Sequence, residues 1–315
     1  MNCLSCGKPL RTPEPSGWHK ACIRRFYGTN EIPEVSIDGE TLEQLALEST
    51  KKGYTIPGVQ KKLSMHLSDG KKPRLTIVNH PTGYILKPQV KEFETLPEAE
   101  QLAMTMADRA GIATVPHALI RVNDSFAYIT RRIDRMFAKD AKVQMLAMED
   151  FCQLDLRLTQ DKYRGSCERC AKVITRYSSR RGLDLTELLM RLVFSFLIGN
   201  SDMHLKNFSL IETAENSRQY ILSPAYDLLP VNVMMPEDQE QFALPMNGKK
   251  TNLCRKDFLV FADSCGIPQN AAENIINRLL RIQPLFVQLC EESLLSREMK
   301  QQMLKLMKGR SILLQ

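Results

Sequence analysis

Polar and apolar positions change rhythm along the chain. Lys62-Leu63-Ser64-Met65-His66-Leu67-Ser68 alternates with period two, the mark of a half-buried strand. Arg74 to Asn79 is a second β-rich run, and His80-Pro81-Thr82-Gly83 predicts a turn into a strand over Tyr84-Ile85-Leu86-Lys87. Pro97 opens a helix on which Leu102, Met106 and Ala110 recur at period four and which Gly111 stops. A further strand is expected at Phe126 to Thr130, ahead of Arg131-Arg132-Ile133-Asp134-Arg135. Residues 31–50 read as a polar connector with a short helical pattern on Leu42, Leu45 and Ala46. From about residue 147 the texture is helical. Leu188 to Gly199 is apolar on all sides except at Arg191 and Ser195, which predicts a buried central helix. A polar turn, a strand pair around Asn207–Ile211 and Tyr220–Leu222, and helices from Arg255 to the end complete the pattern. The fold class expected is α+β, with a strand-rich part over 31–146 and a mainly helical part over 147–315.

Composition narrows the picture. At 315 residues, 43% hydrophobic and 25% charged, the chain is long enough for two cores and too apolar for disorder. No apolar run approaches the roughly 18–20 residues that span a bilayer, and Met1 to Lys8 lacks the apolar block of a signal peptide. A cytoplasmic protein without membrane association is therefore expected. The 43 basic and 36 acidic residues leave a net charge of +7, spread in short pieces such as Lys61-Lys62, Lys71-Lys72 and Lys249-Lys250. This dispersal argues against direct nucleic-acid binding, which calls for a denser basic stripe, and is compatible with nucleotide ligands. Nine cysteines, an odd count, fit poorly with a fully paired disulfide framework.

The cysteines also suggest a metal. Cys3-x-x-Cys6 is followed, after a twelve-residue loop, by His19-x-x-Cys22. Three thiolates and an imidazole at this spacing can close a tetrahedral Zn2+ site. Residues 1–30 are too short to build a core of their own, so a metal would supply the missing stability. Free thiols in a loop are the other reading. A second pair, Cys167-Glu168-Arg169-Cys170, has no histidine or further cysteine pair close by, and Ala171, Val173 and Ile174 behind it suggest an amphipathic helix with both thiols in the core.

The most informative stretch is Gly199-Asn200-Ser201-Asp202-Met203-His204-Leu205-Lys206-Asn207-Phe208, followed by Ser223-Pro224-Ala225-Tyr226-Asp227. A carboxylate, an amide five residues on and a second carboxylate after a strand are the parts phosphoryl transfer needs: one group to accept the attacking hydroxyl's proton, two to hold Mg2+. D-x4-N with a later Asp is the arrangement that protein kinases use. Upstream, Gly58-Val59-Gln60-Lys61-Lys62 offers a loop over phosphates, and Lys87 ends a strand.

Together Thr55 to Ser64, Tyr84 to Pro88, Glu149 to Gln153, Gly199 to Phe208 and Pro224 to Asp227 resemble the HipA-type serine/threonine kinases, toxins of bacterial toxin–antitoxin modules. The Cys/His opening before Phe26-Tyr27-Gly28-Thr29 is similar to a short, HipT-like branch that lacks the family's N-terminal subdomain. The resemblance implies a two-lobed, protein-kinase-like fold with a small zinc-knuckle-like segment over 1–30. It implies Asp202 as catalytic base, Asn207 and Asp227 as Mg2+ ligands, and Tyr226 beside the nucleotide. Lys87 would bind the ATP phosphates, braced by Glu100. Pro57, Gly58, Val59, Gln60, Lys61 and Lys62 would cover them, and Glu149, Asp150 and Phe151 would contact adenine. His204 and Lys206 match positions near the phosphates; for His204 a packed imidazole capping the loop is the alternative, and for Asp150 a helix N-cap. Thr55 stands where some members carry a self-phosphorylated serine, and is either modified likewise or a strand-end residue with a satisfied hydroxyl.

The resemblance further implies a protein substrate, an aminoacyl-tRNA synthetase or another translation component. It also implies an antitoxin partner, including a DNA-binding protein or a small protein supplying the missing subdomain. Two rival functions use the same residues: a catalytically silent kinase-like module that binds a partner or DNA, and a phosphotransferase acting on a small molecule. A binding module has no need to keep Lys87, Asp202, Asn207 and Asp227 together.

Overall fold

In the computed structural model, which describes residues 2–12, 14–36, 62–68, 74–76, 83–137 and 143–315, the chain divides into two compact units. The first comprises residues 1–105, 115–133 and 292–295; the second comprises 106–114, 134–291 and 296–315. Leu42, Leu45, Ala46, Thr55 and Pro57 to Lys61 lie outside the described residues.

The alternating runs of the first unit build one sheet. After a short helix, α1 (Lys20–Tyr27), come β1 (Glu34–Ser36), β2 (Leu63–Leu67), β3 (Arg74–Thr76), β4 (Tyr84–Pro88), helix α2 (Leu96–Ala110), β5 (His117–Val122) and β6 (Ser125–Arg131). The strand order is β1-β3-β2-β4-β6-β5, antiparallel except for β1 with β3. Period two sends Met65, Leu75, Leu86, Ala118, Ile120, Ala127 and Ile129 into one cluster. The N-terminal segment fills the same cluster with Cys3, Trp18, Cys22, Ile23, Phe26 and Tyr27. Trp18, Phe26, Tyr27 and Tyr84 meet tilted or edge-on at 4.8–5.9 Å. The segment also covers the outer edge of β5: Leu119 donates its N–H to Leu4 O at 2.9 Å, and Trp18 Nε1 donates to Leu119 O at 2.9 Å.

The second unit is mostly helical. Its strands form a pair, β7 (Arg135–Phe137) with β8 (Val143–Met145), and a three-stranded antiparallel sheet in which β10 (Ser209–Glu212) lies between β9 (Met148–Asp150) and β11 (Tyr220–Leu222). The helices are α3 (Phe151–Leu154), α4 (Cys167–Tyr177), α5 (Arg181–Ile198), α6 (Val231–Met234), α7 (Arg255–Ser264), α8 (Gln269–Arg281), α9 (Gln283–Glu291) and α10 (Arg297–Ile312). Every residue of α5 from Leu188 onward is buried, and α4, α7, α8 and α10 pack around it. The helix begins seven residues before the apolar run; its first turn, Arg181-Gly182-Leu183, is exposed and so leaves no apolar signal in the sequence. Gly199 ends it at φ +75, the left-handed conformation that favours glycine, and a Cβ there would displace the end of the Leu306 side chain, 2.9 Å away. Among the described residues no helix is long and apolar enough to cross a membrane.

Candidate active site

Lys87 and Leu86 are neighbours on β4 and so face opposite ways. Leu86 joins the apolar cluster, while Lys87 is buried on the other face with Nζ 2.5 Å from Glu100 Oε1. The Lys87 ammonium also lies 5.2 Å from the centroid of the Tyr128 ring, on the neighbouring strand directly across the ladder. The pair is 2% and 1% exposed. A strand lysine held by a glutamate on the next helix is the device with which kinases present an ammonium to nucleotide phosphates. Of the covering loop expected over 57–62, only Lys62 is described; it is exposed, one residue ahead of β2.

In the second unit, the left-handed turn at Gly199 releases the chain from α5 into the Asn200–Asn207 loop. Asn207 Oδ1 accepts the backbone N–H of His204 at 3.0 Å, which closes the loop on itself. The buried His204 ring meets the Tyr163 ring edge-on at 5.2 Å, the packed arrangement rather than an exposed one. Tyr163 in turn donates its hydroxyl to Asp202 Oδ1 at 2.8 Å. Burial pushes the Asp202 carboxyl up to about 6; Tyr163 and Lys162 oppose the rise, and Asp227 and Asp238 add to it. A carboxylate titrating there is ionised at neutral pH and still basic enough to receive a hydroxyl proton.

Tyr226 ties the second carboxylate to this loop. Its hydroxyl donates to Lys206 O at 3.0 Å and receives that of Ser209 at 2.5 Å. Asp227, next to it, sits in the left-handed region at φ 55, an uncommon setting for an aspartate and one that clusters at functional sites. Buried Arg191, the one charge in the apolar part of α5, donates to Ser223 O at 2.7 Å and to Glu187 at 3.0 Å. That bond anchors the start of the Ser223–Asp227 segment. Lys206 pairs with Asp150 at 2.5 Å, and Asp150 caps α3 by accepting the Gln153 N–H at 2.9 Å. Glu149 is exposed on β9; Phe151 is buried, stacked on Phe208 at 5.6 Å, and its N–H donates to Phe208 O. Asp202, His204, Lys206, Asn207, Tyr226, Asp227, Asp150 and Phe151 are therefore joined in one local network. Tyr163, Arg191 and Tyr128 belong to these networks without having carried any motif in the sequence.

Comparison with known proteins shows the family and the fold. The family model described as "HipA-like C-terminal domain" matches residues 54–284. The chain belongs to that family. The relative "Putative kinase Y4mE" of Sinorhizobium fredii is 29% identical over 220 residues, 68% of this chain and 51% of that protein. The chain thus spans about half the length of that relative. A "Putative kinase" of Haemophilus influenzae is 26% identical over 305 residues, 87% of this chain and 84% of that one. Among solved structures, a chain of the complex of Shewanella oneidensis MR-1 toxin–antitoxin proteins HipA and HipB with operator DNA has a TM-score of 0.72 at 19% identity. That likeness covers 89% of this chain and 72% of the other, and shows a shared fold.

The Cys/His set lies ahead of the HipA-like match. Cys3, Cys6, His19 and Cys22 bring their ligand atoms within 4.8 Å of one another, a cluster able to bind zinc. The Cys3 thiol is held down to about 4, first by the Cys6 thiol donating to it and then by N–H groups of Cys6, His19 and Ser5, against burial. Cys167 and Cys170, by contrast, are buried in α4, and burial pushes both thiols up.

Proposed function

We propose that this HipA-like chain is an ATP- and Mg2+-dependent serine/threonine protein kinase, the toxin of a bacterial toxin–antitoxin module acting in the cytoplasm. The observation that carries the reading is Asp202, a largely buried carboxylate titrating at about 6, oriented by Tyr163 and set in one network with Asn207 and Asp227. Tyr163 occupies one carboxylate oxygen and leaves the other for a substrate hydroxyl. As the hydroxyl oxygen bonds to the γ-phosphorus and the bond to the β–γ bridging oxygen breaks, Asp202 takes the hydroxyl proton and ADP leaves. Asn207 Oδ1 keeps one lone pair beyond its loop bond, and Asp227 is acceptor-only; this oxygen donor set fits Mg2+, which when bound would offset phosphate charge. Lys87, fixed by Glu100, binds the phosphates; Pro57 to Lys62 cover them, with His204 and Lys206 nearby; Glu149 to Phe151 and Tyr226 flank the base. Thr55 is the self-phosphorylated position.

The protein substrate is an aminoacyl-tRNA synthetase or another translation component. The partner is an antitoxin that includes a DNA-binding protein or a second small protein, as HipB and operator DNA are in the complex with the Shewanella HipA. Transfer of label from γ-labelled ATP to lysate proteins tests the reading. Protein-bound label that disappears with Asp202→Asn is the result expected; labelled small molecules, or no transfer at all, would overturn it.

A further inference from the structure

Cys3, Cys6, His19 and Cys22 have no part in phosphoryl transfer, yet their geometry suits a metal closely. His19 Nδ1 lies 3.4 Å from Cys6 Sγ and 3.8 Å from Cys22 Sγ. A tetrahedron with Zn–S of about 2.3 Å and Zn–N of about 2.05 Å has an S–N edge of about 3.6 Å. On the far side of the ring, His19 Nε2 is 3.1 Å from the Pro9 carbonyl. Donation to that carbonyl leaves Nδ1 bare toward the three sulfurs, the outer bond that orients metal-bound histidines. Cys3 N–H to Lys8 O at 2.9 Å and Gly7 N–H to Cys3 O at 2.9 Å fold the first Cys pair into a tight knuckle.

The knuckle touches the helix that carries Glu100. Gln101, the next residue on α2, donates from Nε2 to Ser5 O at 3.2 Å, inside the Cys3–Cys6 loop, while its Oε1 lies 2.8 Å from His117 Nδ1 on β5. One turn on, Thr105 Cγ2 stands 3.4 Å from where a Cβ on Gly7 would be. Leu4, in the same loop, accepts the Leu119 N–H of β5. One four-residue loop thus bonds to both the helix and the sheet edge beside it. It has too little apolar mass to hold its own shape without a cross-link.

We propose that Cys3, Cys6, His19 and Cys22 bind one structural Zn2+, and that the knuckle so closed braces α2 through Gln101, keeping Glu100 in place against Lys87. Zinc displaces the thiol protons to solvent and fixes the carbonyls of Leu4 and Ser5 where Gln101 and Leu119 need them. The effect on nucleotide binding rests on the kinase reading; the metal and the brace do not. Gln101 is a positioning residue, acting through Glu100.

Three measurements on the full chain test this. Elemental analysis after purification without chelator should find about one zinc per chain, lost in Cys6→Ser. Hydrogen exchange should show α2 amides around Ala99 to Thr105 exchanging roughly five- to ten-fold faster in Cys6→Ser, and also in Gln101→Met, the loss expected for one hydrogen bond. Gln101→Met keeps all four ligands and its zinc, so it carries the test if Cys6→Ser does not fold. Both variants should bind Mg-ATP more weakly, with a raised KM for ATP exceeding any change in kcat. Wild-type protein without zinc, or α2 protection unchanged in zinc-loaded Gln101→Met, would overturn the proposal. A wild type that holds zinc and protects α2 but transfers no phosphate would instead overturn the kinase reading alone.

Discussion

Replacing Asp202 by Asn should make the protein more stable while removing its chemistry. Burial lifts the Asp202 carboxyl from 3.8 to about 6, so the folded chain holds this proton more tightly than the unfolded one. Stability therefore falls as pH rises from about 3.8 to about 6 and stays lower above. At about 1.4 kcal/mol per tenfold in proton affinity, the ionised carboxylate costs up to about 3 kcal/mol. Asn is neutral at every pH and isosteric, and its amide oxygen can still accept the Tyr163 hydroxyl. Its NH2 is itself desolvated, which offsets part of the gain, so a net stabilisation of about 1–2 kcal/mol is expected at neutral pH. Denaturant titrations of both proteins between about pH 4 and pH 8 would measure it. The difference should be near zero at the acid end, grow through about pH 6 and then level off. The same variant should transfer no phosphate, and wild-type activity should rise with an acid limb near 6. A stability difference that is flat with pH, or a wild-type rate indifferent to pH between 5 and 7, would refute the burial argument.

Tyr163→Phe removes the hydroxyl that holds the Asp202 carboxyl down, so the acid limb of the pH–rate profile should move to higher pH; an unmoved limb would dissociate the two residues. Glu100→Gln removes the carboxylate that meets Lys87 Nζ at 2.5 Å and should destabilise the first unit, visible as a lowered thermal unfolding midpoint, as well as weaken ATP binding. Gly199→Ala puts a Cβ on a backbone at φ +75, beside the movable end of Leu306, and should cost about 1–2 kcal/mol by denaturant titration; a neutral substitution would mean that the turn can relax.

Local pattern carried much of this protein. The alternation at Leu63 to Leu67 and Tyr84 to Lys87, the period-four helix closed by Gly111 and the all-apolar run after Leu188 each became the expected element. This is because burial of one face, or of all faces, leaves a period in the sequence. The D-x4-N loop was legible for a related reason: its residues are close in sequence, so one short turn suffices to assemble them. Elements with no such period were not legible. Strand β5 lies in a run interrupted by polar His117 and Arg121; α1 does carry a helical period, burying Cys22, Ile23, Phe26 and Tyr27, but over only eight residues. Their burial depends on partners far away in the chain. So does everything that tunes the site. Tyr163 reaches Asp202 across 39 residues, Arg191 reaches Ser223 across 32, and Gln101 reaches Ser5 across 96. The spacing of Cys3, Cys6, His19 and Cys22 suggested a metal site. Only tertiary packing, which laid Trp18, Phe26 and Tyr27 on the sheet, brought their ligand atoms within 4.8 Å of one another and set the Cys loop beside Gln101 of α2. A hydrogen bond between distant segments depends on where the backbone brings them, and no local period records it.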